Sequence, residues 1–539
     1  MLYLLDYGAG NVTSLANSLR QLGHDFRWIE TPPDFEQATS LIFPGVGAFE
    51  SAIQHLKRRG LLEPLREYIT SGRPYFGICI GMQVLFQSSE ESPSLGLGIV
   101  PCPIERFSDH DKAVPHIGWN SADLLDASTE DPAYYYFVHS YCAKYNPERY
   151  PEAAEWAHGT TQYGQELFVS SVRKGNVFAT QFHPEKSGDA GLKLLDTWLR
   201  APGAAHAPAA PRVARALKPK HGLTKRIIAC MDVRANDAGD LVVTKGDQYD
   251  VREKNPSTTV TAGGAVRNLG KPVALAARYY DAGADELCLL NITSFRHSPL
   301  QDQPMLAVVR AAAERLFVPL TIGGGIKDSV DPDGTARSAL EVASAYFRAG
   351  ADKVSIGSEA VYAVERLRAN DGVPDGTSAI ETIAHAYGRQ AVVVSLDPRR
   401  VSVDADYKGR HADEVVRGAD GKAWWYQCTV SGGREARDLS VVELAQGADT
   451  LGAGELLLNS IDRDGTGLGF DVHLLALVKR SVRIPVVASS GAGNAEHFVD
   501  VFAKTDVEAA LAAGIFHREQ VGIGEVKEAL RAANINVRQ

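Results

Sequence analysis

Cys79 lies in the pentapeptide Gly77-Ile78-Cys79-Ile80-Gly81, between the apolar, strand-like Tyr75-Phe76 and the helical stretch MQVLF. The flanking glycines allow a tight strand-to-helix turn that exposes the sulfur, and a following helix N-terminus favours its thiolate form. A lone cysteine is more often structural, and this motif alone does not separate the two readings. His183-Pro184-Glu185 favours the nucleophile. It follows the apolar run VFATQF, about 100 residues after the cysteine. Residues two apart in extended chain point the same way, so His183 can face the thiol while Glu185 orients the imidazole. That is the nucleophile, base and orienter of covalent acyl chemistry. Pro44-Gly45-Val46-Gly47 follows LIF, and such a turn can aim backbone N–H groups at an oxyanion, together with the N–H of Ile80. Taken singly it is an ordinary glycine-rich turn.

A second constellation lies after residue 222. Asp232 and Asp397 each end an apolar run, IIACMD and VVVSLD. Two carboxylates facing one substrate suit paired general acid–base work, although a single aspartate there commonly caps the next helix. Gly323-Gly324-Gly325 and Ser489-Ser490-Gly491-Ala492-Gly493 follow other apolar runs. Small residues let backbone N–H groups approach phosphate. Two such clusters suggest a substrate with a phosphate at each end, with Gly357-Ser358 and Gly514 completing the two sites. Lys245, in a long polar stretch, is a candidate lid residue or simply a solvated lysine. Arg226, Glu286, Lys353 and Glu455 stand at or just before strand starts. Single charges there usually face solvent, whereas four of balanced sign can form a closed ring.

These residues need elements to hold them. The stretch 201–222, APGAAHAPAAPRVARALKPKHG, is Ala- and Pro-rich and without strand or amphipathic pattern, so it reads as a linker between residues 1–200 and 223–539. In the first part MLYLLDYG, SLIFPGVG, YFGICIG and VFATQFHP read as strands with helices between several of them, the grammar of an open α/β sheet. The second part offers eight strands in order: RIIACMDV, ELCLLNIT, VPLTIGGG, KVSIGS, AVVVSLD, ELLLNSID, IPVVASSG and EAALAAGIF. Eight βα units predict a (βα)8 TIM-type barrel with its active site at the C-terminal strand ends. Strands one to four are echoed by five to eight: Asp232 and Asp397 are 165 positions apart and Glu286 and Glu455 are 169 apart, which a half-barrel duplication explains. Polar stretches near 235–262, 329–338 and 401–423 read as loop insertions around the mouth.

Composition narrows the class. With 45% hydrophobic and 23% charged residues among 539, the chain reads as a globular enzyme of two or three domains. A net charge of −10 argues against a broad nucleic-acid or anionic-membrane surface. No run of about 18 apolar residues predicts a membrane span. The N-terminus lacks signal- or transit-peptide order, and six scattered cysteines suggest neither disulfides nor zinc. A reducing compartment, most simply the cytoplasm, is expected.

Together PGVGAF, GICIGMQ, YYFVHSY and QFHPEKS resemble the class I glutamine amidotransferases, and most closely the glutaminase half of the imidazole glycerol phosphate synthases. The resemblance implies that Cys79 attacks the glutamine amide and that His183 protonates the departing ammonia and then activates water. It also implies that Gln83, Ser140 and Tyr141 hold glutamine, and that the peptide at Val46 reorients to complete the oxyanion hole. RIIACMDV, DELCLLNIT, GGGI, DKVSIGS, VVVSLDPRRV, LLLNSIDRDGTG, ASSGAG and NVRQ resemble the cyclase half of the same synthases. With both halves on one chain, the resemblance is to the fused, bifunctional members of histidine biosynthesis. It implies that ammonia passes an Arg226/Glu286/Lys353/Glu455 gate and travels up the barrel. There it meets a bis-phosphorylated ribulosyl-formimino aminoimidazole carboxamide ribonucleotide (PRFAR), with Asp232 and Asp397 shuttling protons. The substrate-binding set it implies includes Asp464. No metal or cofactor, no nucleic acid and no separate subunit are implied, and a monomer is expected. Gly357 stands where the two-chain relatives tend to have Asn, Asn291 where they have Asp, Ser490 where they have Gly, and Asn459 where they have Thr.

Three other readings compete, one of them a glutaminase that feeds some other acceptor, which must explain two phosphate-type sites. A sugar-phosphate isomerase of the same pathway shares the half-barrel repeat but needs no ammonia. A scaffold with one dead half would lack Cys79, His183, Asp232 or Asp397, and all four are present.

Overall fold

The structure, a computed structural model, describes residues 1–8, 10–45, 47–124, 133–202, 217–219, 221–235, 241–244, 252–253, 265–266, 272–292, 304–331, 333–418 and 420–538. Most of the expected linker, most of the 235–262 insertion, Val46 and Lys245 lie outside them.

The first part is built on an eight-stranded sheet. Five strands are parallel, in the order Arg27–Ile29, Leu2–Leu5, Ser40–Phe43, Tyr75–Ile78 and Val177–Thr180. Four of these are the strands expected from sequence. The sheet then continues antiparallel through Glu166–Lys174, Ala157–Tyr163 and Asp123–Leu124. A ribbon of His116–Ser121 and Tyr134–His139 and a separate four-stranded sheet complete it. MQVLF is not helical throughout. The helix spans only Ile80–Gln83, and Phe86 opens a strand paired with Val100, with Val84, Leu85 and Phe86 buried in the core. Tertiary burial decides the conformation where a five-residue apolar run fits either.

In the second part all eight expected strands form one closed ring of parallel pairs. In chain order they are Arg226–Ala235, Glu286–Asn291, Leu320–Gly323, Lys353–Ile356, Val392–Leu396, Glu455–Asn459, Val486–Ser489 and Ala509–Ala512, and the last pairs back onto the first. Ile228, Cys230, Cys288, Val393, Leu457, Val487, Ala509 and Leu511 form a buried cluster in the strands. Outer helices start where the sequence says: Ser338, Ser378 and Ser440 each accept from the N–H three residues on, and Glu341, Glu381 and Glu443 complete the capping boxes. Asp232 is not a strand end, because the first strand runs on to Ala235 and pairs antiparallel with Leu241–Thr244. The 401–423 insertion belongs to a small antiparallel sheet around Ala423–Val430 rather than a loop.

The first part docks on the N-terminal strand ends of the barrel. Trp119 is fully buried and donates to the Asp285 carbonyl at 2.9 Å, with the Arg538 guanidinium 4.2 Å from its ring. Thr224, two residues before the first barrel strand, donates its N–H to the Trp119 carbonyl.

Candidate active sites and the path between them

Cys79 adopts φ 50° and ψ −101°, a strained backbone for a residue with a side chain, as in a nucleophile elbow. Its N–H is anchored on the Thr180 carbonyl at 2.7 Å, tying the elbow to the strand that leads to His183. A Cβ on Gly45 would come within 1.9 Å of the Ile78 carbonyl and 2.4 Å of the Ile80 nitrogen, so only glycine lets the Pro44–Gly45 turn lie against the elbow. Cys79, His183 and Glu185 are all more than nine-tenths buried. His183 Nδ1 and Glu185 Oε1 are 2.8 Å apart, and the opposite ring nitrogen is left for its hydrogen bond with the cysteine sulfur. Burial alone would discharge the imidazole, but the Glu185 carboxylate and the Cys79 sulfur outweigh it and hold the His183 pKa well above the ordinary range. The helix after Cys79 is one turn long, so the imidazolium, more than a helix dipole, is the charge partner of the sulfur. Gln83 Nε2 donates to the Tyr141 carbonyl at 3.1 Å and to Gln181 Oε1 at 3.0 Å, and Gln181 Nε2 lies 3.5 Å from the Cys79 sulfur. The Ser140 hydroxyl is buried without a partner among the described residues, as suits a group that binds substrate.

The four charged strand starts form the expected ring. Arg226 donates to Glu286 at 2.7 Å and also to Glu455, and Lys353 Nζ lies 2.6 Å from a carboxylate oxygen of each glutamate. All four side chains are at most 2% exposed. Burial pushes the Glu455 carboxyl up, but Arg226 and Lys353 win and bring it down to about 2. The ring closes the barrel floor with charges that stay charged because each is paired.

At the mouth, Asp232, Asp464, Ser489, Ser490, Gly491, Gly493 and Gly514 line one cavity of about 350 Å³. Gly324, Gly325, Gly357 and Ser358 follow strands three and four, outside that cavity, so the second phosphate-type set is gathered into it and the first is not. Ser490 sits at φ 73°, a conformation that favours glycine. A Cβ on Gly357 would meet nothing within 4 Å, so sterics do not demand glycine there. Burial and the nearby Asp464 raise Asp232 to about 7. Asp397 is raised by burial too, partly offset by the Asn459 amide, which donates to its Oδ1 at 2.7 Å.

Several residues escaped the sequence reading. Tyr136 has its carbonyl bonded to the His183 N–H, while its buried hydroxyl faces the charges of Arg226, Glu286 and Glu455 without a hydrogen-bond partner among the described residues. Lys186, just past Glu185, pairs at 2.8 Å with Asp352, the neighbour of Lys353. Arg518 brings a positive charge to the mouth cavity.

Fold and geometry define a class: a glutamine amidotransferase joined to a (βα)8-barrel enzyme. Residues 3–200 match the family described as glutamine amidotransferase class-I, and residues 226–522 match histidine biosynthesis protein. The chain is 52% identical over 550 residues to imidazole glycerol phosphate synthase hisHF of Emericella nidulans, covering 100% of this chain and 98% of that one. It is 52% identical over 546 residues to the Schizosaccharomyces pombe protein of the same name, covering 99% of each. Imidazole glycerol phosphate synthase subunit HisF of Natronomonas pharaonis matches at 41% over 316 residues, 59% of this chain and 99% of that one. The chain belongs to the imidazole glycerol phosphate synthase hisHF family, in which one chain carries what the separate HisF subunit carries alone.

Proposed function

We propose that this chain hydrolyses glutamine at Cys79 and passes the ammonia through the barrel floor to the mouth. There PRFAR becomes imidazole glycerol phosphate and aminoimidazole carboxamide ribonucleotide (AICAR), in histidine biosynthesis. The observation that carries this is the placement of two chemically distinct sites on either side of one charged ring. In the first site the Cys79 sulfur attacks the side-chain amide, and the oxyanion is met by the Ile80 N–H and the Gly45–Val46–Gly47 turn. His183, already charged, gives its proton to the leaving ammonia and then takes one from the water that cleaves the thioester, with Glu185 holding the ring. Gln83, Ser140 and Tyr141 hold the substrate.

Ammonia is neutral and small, so it crosses the Arg226/Glu286/Lys353/Glu455 ring without adding a buried charge. At the mouth Asp232, protonated over part of the neutral range, acts as acid, and Asp397 as its counterpart. Ser489, Ser490, Gly491, Gly493 and Gly514 take one phosphate, and Gly324, Gly325, Gly357 and Ser358 take the other. Asp464 keeps Asp232 poised. The chain divides into a glutaminase domain (1–200), a linker (201–222) and a cyclase domain (223–539). It acts as a monomer in the cytoplasm, without nucleic acid. Among the described residues no helix is long and apolar enough to cross a membrane. Replacing Cys79 with Ala abolishes turnover with glutamine and spares turnover with added ammonium salt. Loss of both activities would overturn the separation of the two sites.

A further inference from the structure

Two buried histidines of the glutaminase half have no role in the chemistry above. His116 and His139 face each other across the ribbon of His116–Ser121 and Tyr134–His139, both at most 2% exposed, with His116 Nδ1 and His139 Nε2 3.1 Å apart. Their other ring nitrogens are also engaged. His139 Nδ1 lies 2.8 Å from the Tyr141 carbonyl, and His116 Nε2 lies 3.2 Å from the Asn120 amide nitrogen.

The proton positions follow from the two ends. A carbonyl can only accept, so His139 carries its proton on Nδ1 and presents a lone pair at Nε2. His116 must then donate from Nδ1, which leaves its Nε2 as acceptor. The Asn120 amide nitrogen supplies that donor, and its orientation is set independently: the same nitrogen donates to the Gln162 carbonyl at 3.1 Å, while Asn120 Oδ1 accepts the Ser121 N–H at 2.9 Å. A ring charged on both nitrogens has no acceptor and breaks the series. Burial does lower His116 well below the ordinary histidine range, and brings His139 to about 3 with the charge of His183 nearby.

Both ends of the series reach something that matters. At one end, the Gln162 side chain exchanges two hydrogen bonds with the backbone of Lys218, at 2.9 and 2.8 Å, eight residues before Arg226 of the floor ring. At the other, the Tyr141 carbonyl takes a second hydrogen bond, from Gln83 Nε2. That bond forces the Gln83 amide to turn its nitrogen toward Tyr141 and Gln181 Oε1, and so turns Gln181 Nε2 toward the Cys79 sulfur.

We propose that His116 and His139 are positioning residues for the glutaminase: their one-directional series of hydrogen bonds, anchored where the chain enters the barrel, sets the amide orientation of Gln83 and Gln181 beside the nucleophile. This rests on the glutaminase reading of Cys79. The pair's hydrogen bonds reach none of Cys79, His183 and Glu185, so its removal acts on glutamine binding and orientation and leaves the barrel chemistry alone.

The test is a matched pair of substitutions, read as KM and kcat with glutamine and as turnover with ammonium salt. Asparagine places its amide where Nδ1 was, and glutamine places it where Nε2 was. His139→Asn therefore keeps the donor to Tyr141, and His139→Gln loses it. His139→Gln is expected to raise KM for glutamine about tenfold or more with ammonium-dependent turnover unchanged, and His139→Asn to recover most of that loss. Equal KM in parent and both variants overturns the proposal, and so does an equal loss in both. A parent protein that releases no glutamate from glutamine sinks the glutaminase reading instead. Nitrogen-15 NMR of histidine-labelled parent chain is independent of how the variants fold. It is expected to show His116 and His139 both neutral and protonated on Nδ1; a proton on Nε2 of either ring, or a charged ring at neutral pH, overturns the series.

Discussion

The two ends of the barrel hold the same kind of group in opposite states. Glu455 at the floor and Asp232 at the mouth are both carboxylic acids in a barrel strand, and burial pushes both toward the neutral form. At the floor, Arg226 and Lys353 sit against the glutamate and bring it down to about 2. At the mouth, no cation is among the causes acting on Asp232, and Asp464 adds a like charge, so it rises to about 7. Pairing, not burial, separates a fixed structural charge from a proton carrier. In the proposed function the floor stays closed and charged, and the mouth exchanges protons near neutrality.

That contrast can be broken from either end. The largest effect is expected at the mouth. Asp232→Asn or Asp397→Asn should lower cyclase turnover by about a thousandfold or more with either nitrogen source, while glutamate release from glutamine persists. Turnover within tenfold of the parent in both variants would remove the aspartates from the chemistry. Next comes the floor. Lys353→Met leaves Glu286 and Glu455 to share Arg226, and breaking a buried pair costs about 3–5 kcal/mol. Denaturant midpoints should fall accordingly. Glutamate should also exceed imidazole glycerol phosphate, and a retained one-to-one ratio would speak against a gate. The smallest effect sharpens the contrast through pH. Because the Asp232 pKa is raised on folding, its stabilising contribution is fully present below its unfolded value near 3.8 and is lost as pH rises through about 7. Asp232→Asn escapes that loss. Its stability gain over the parent should be larger at pH 8 than at pH 5, by about 2–3 kcal/mol, read from urea midpoints. An equal gain at both would mean that Asp232 titrates normally.

What the sequence made legible follows the range of the interactions. All eight barrel strands could be read because each is a short apolar run whose partner strand repeats the pattern, and the half-barrel echo tied Asp232 to Asp397 and Glu286 to Glu455. The elbow at Cys79 and the spacing of His183 and Glu185 are local, and they stand together as expected. In the antiparallel half of the first sheet, AHGTTQY was missed because it carries no apolar run, and ELFVSSVRK because its run is only three residues long. MQVLF misled because five apolar residues do not distinguish a helix from a buried strand. Tyr136, and Lys186 with Asp352, were invisible because what defines each is a charge in the other half of the chain. The floor ring was only half legible. Each charge alone looks like a solvated strand start, and only closure of the barrel brings Arg226 to Glu286 and Glu455.

The most direct test of the whole account is glutamate release from glutamine with and without PRFAR, with imidazole glycerol phosphate measured in the same reaction. The account predicts strong stimulation by PRFAR and one glutamate for each imidazole glycerol phosphate formed. Hydrolysis that ignores PRFAR, with no product appearing in step, would contradict it.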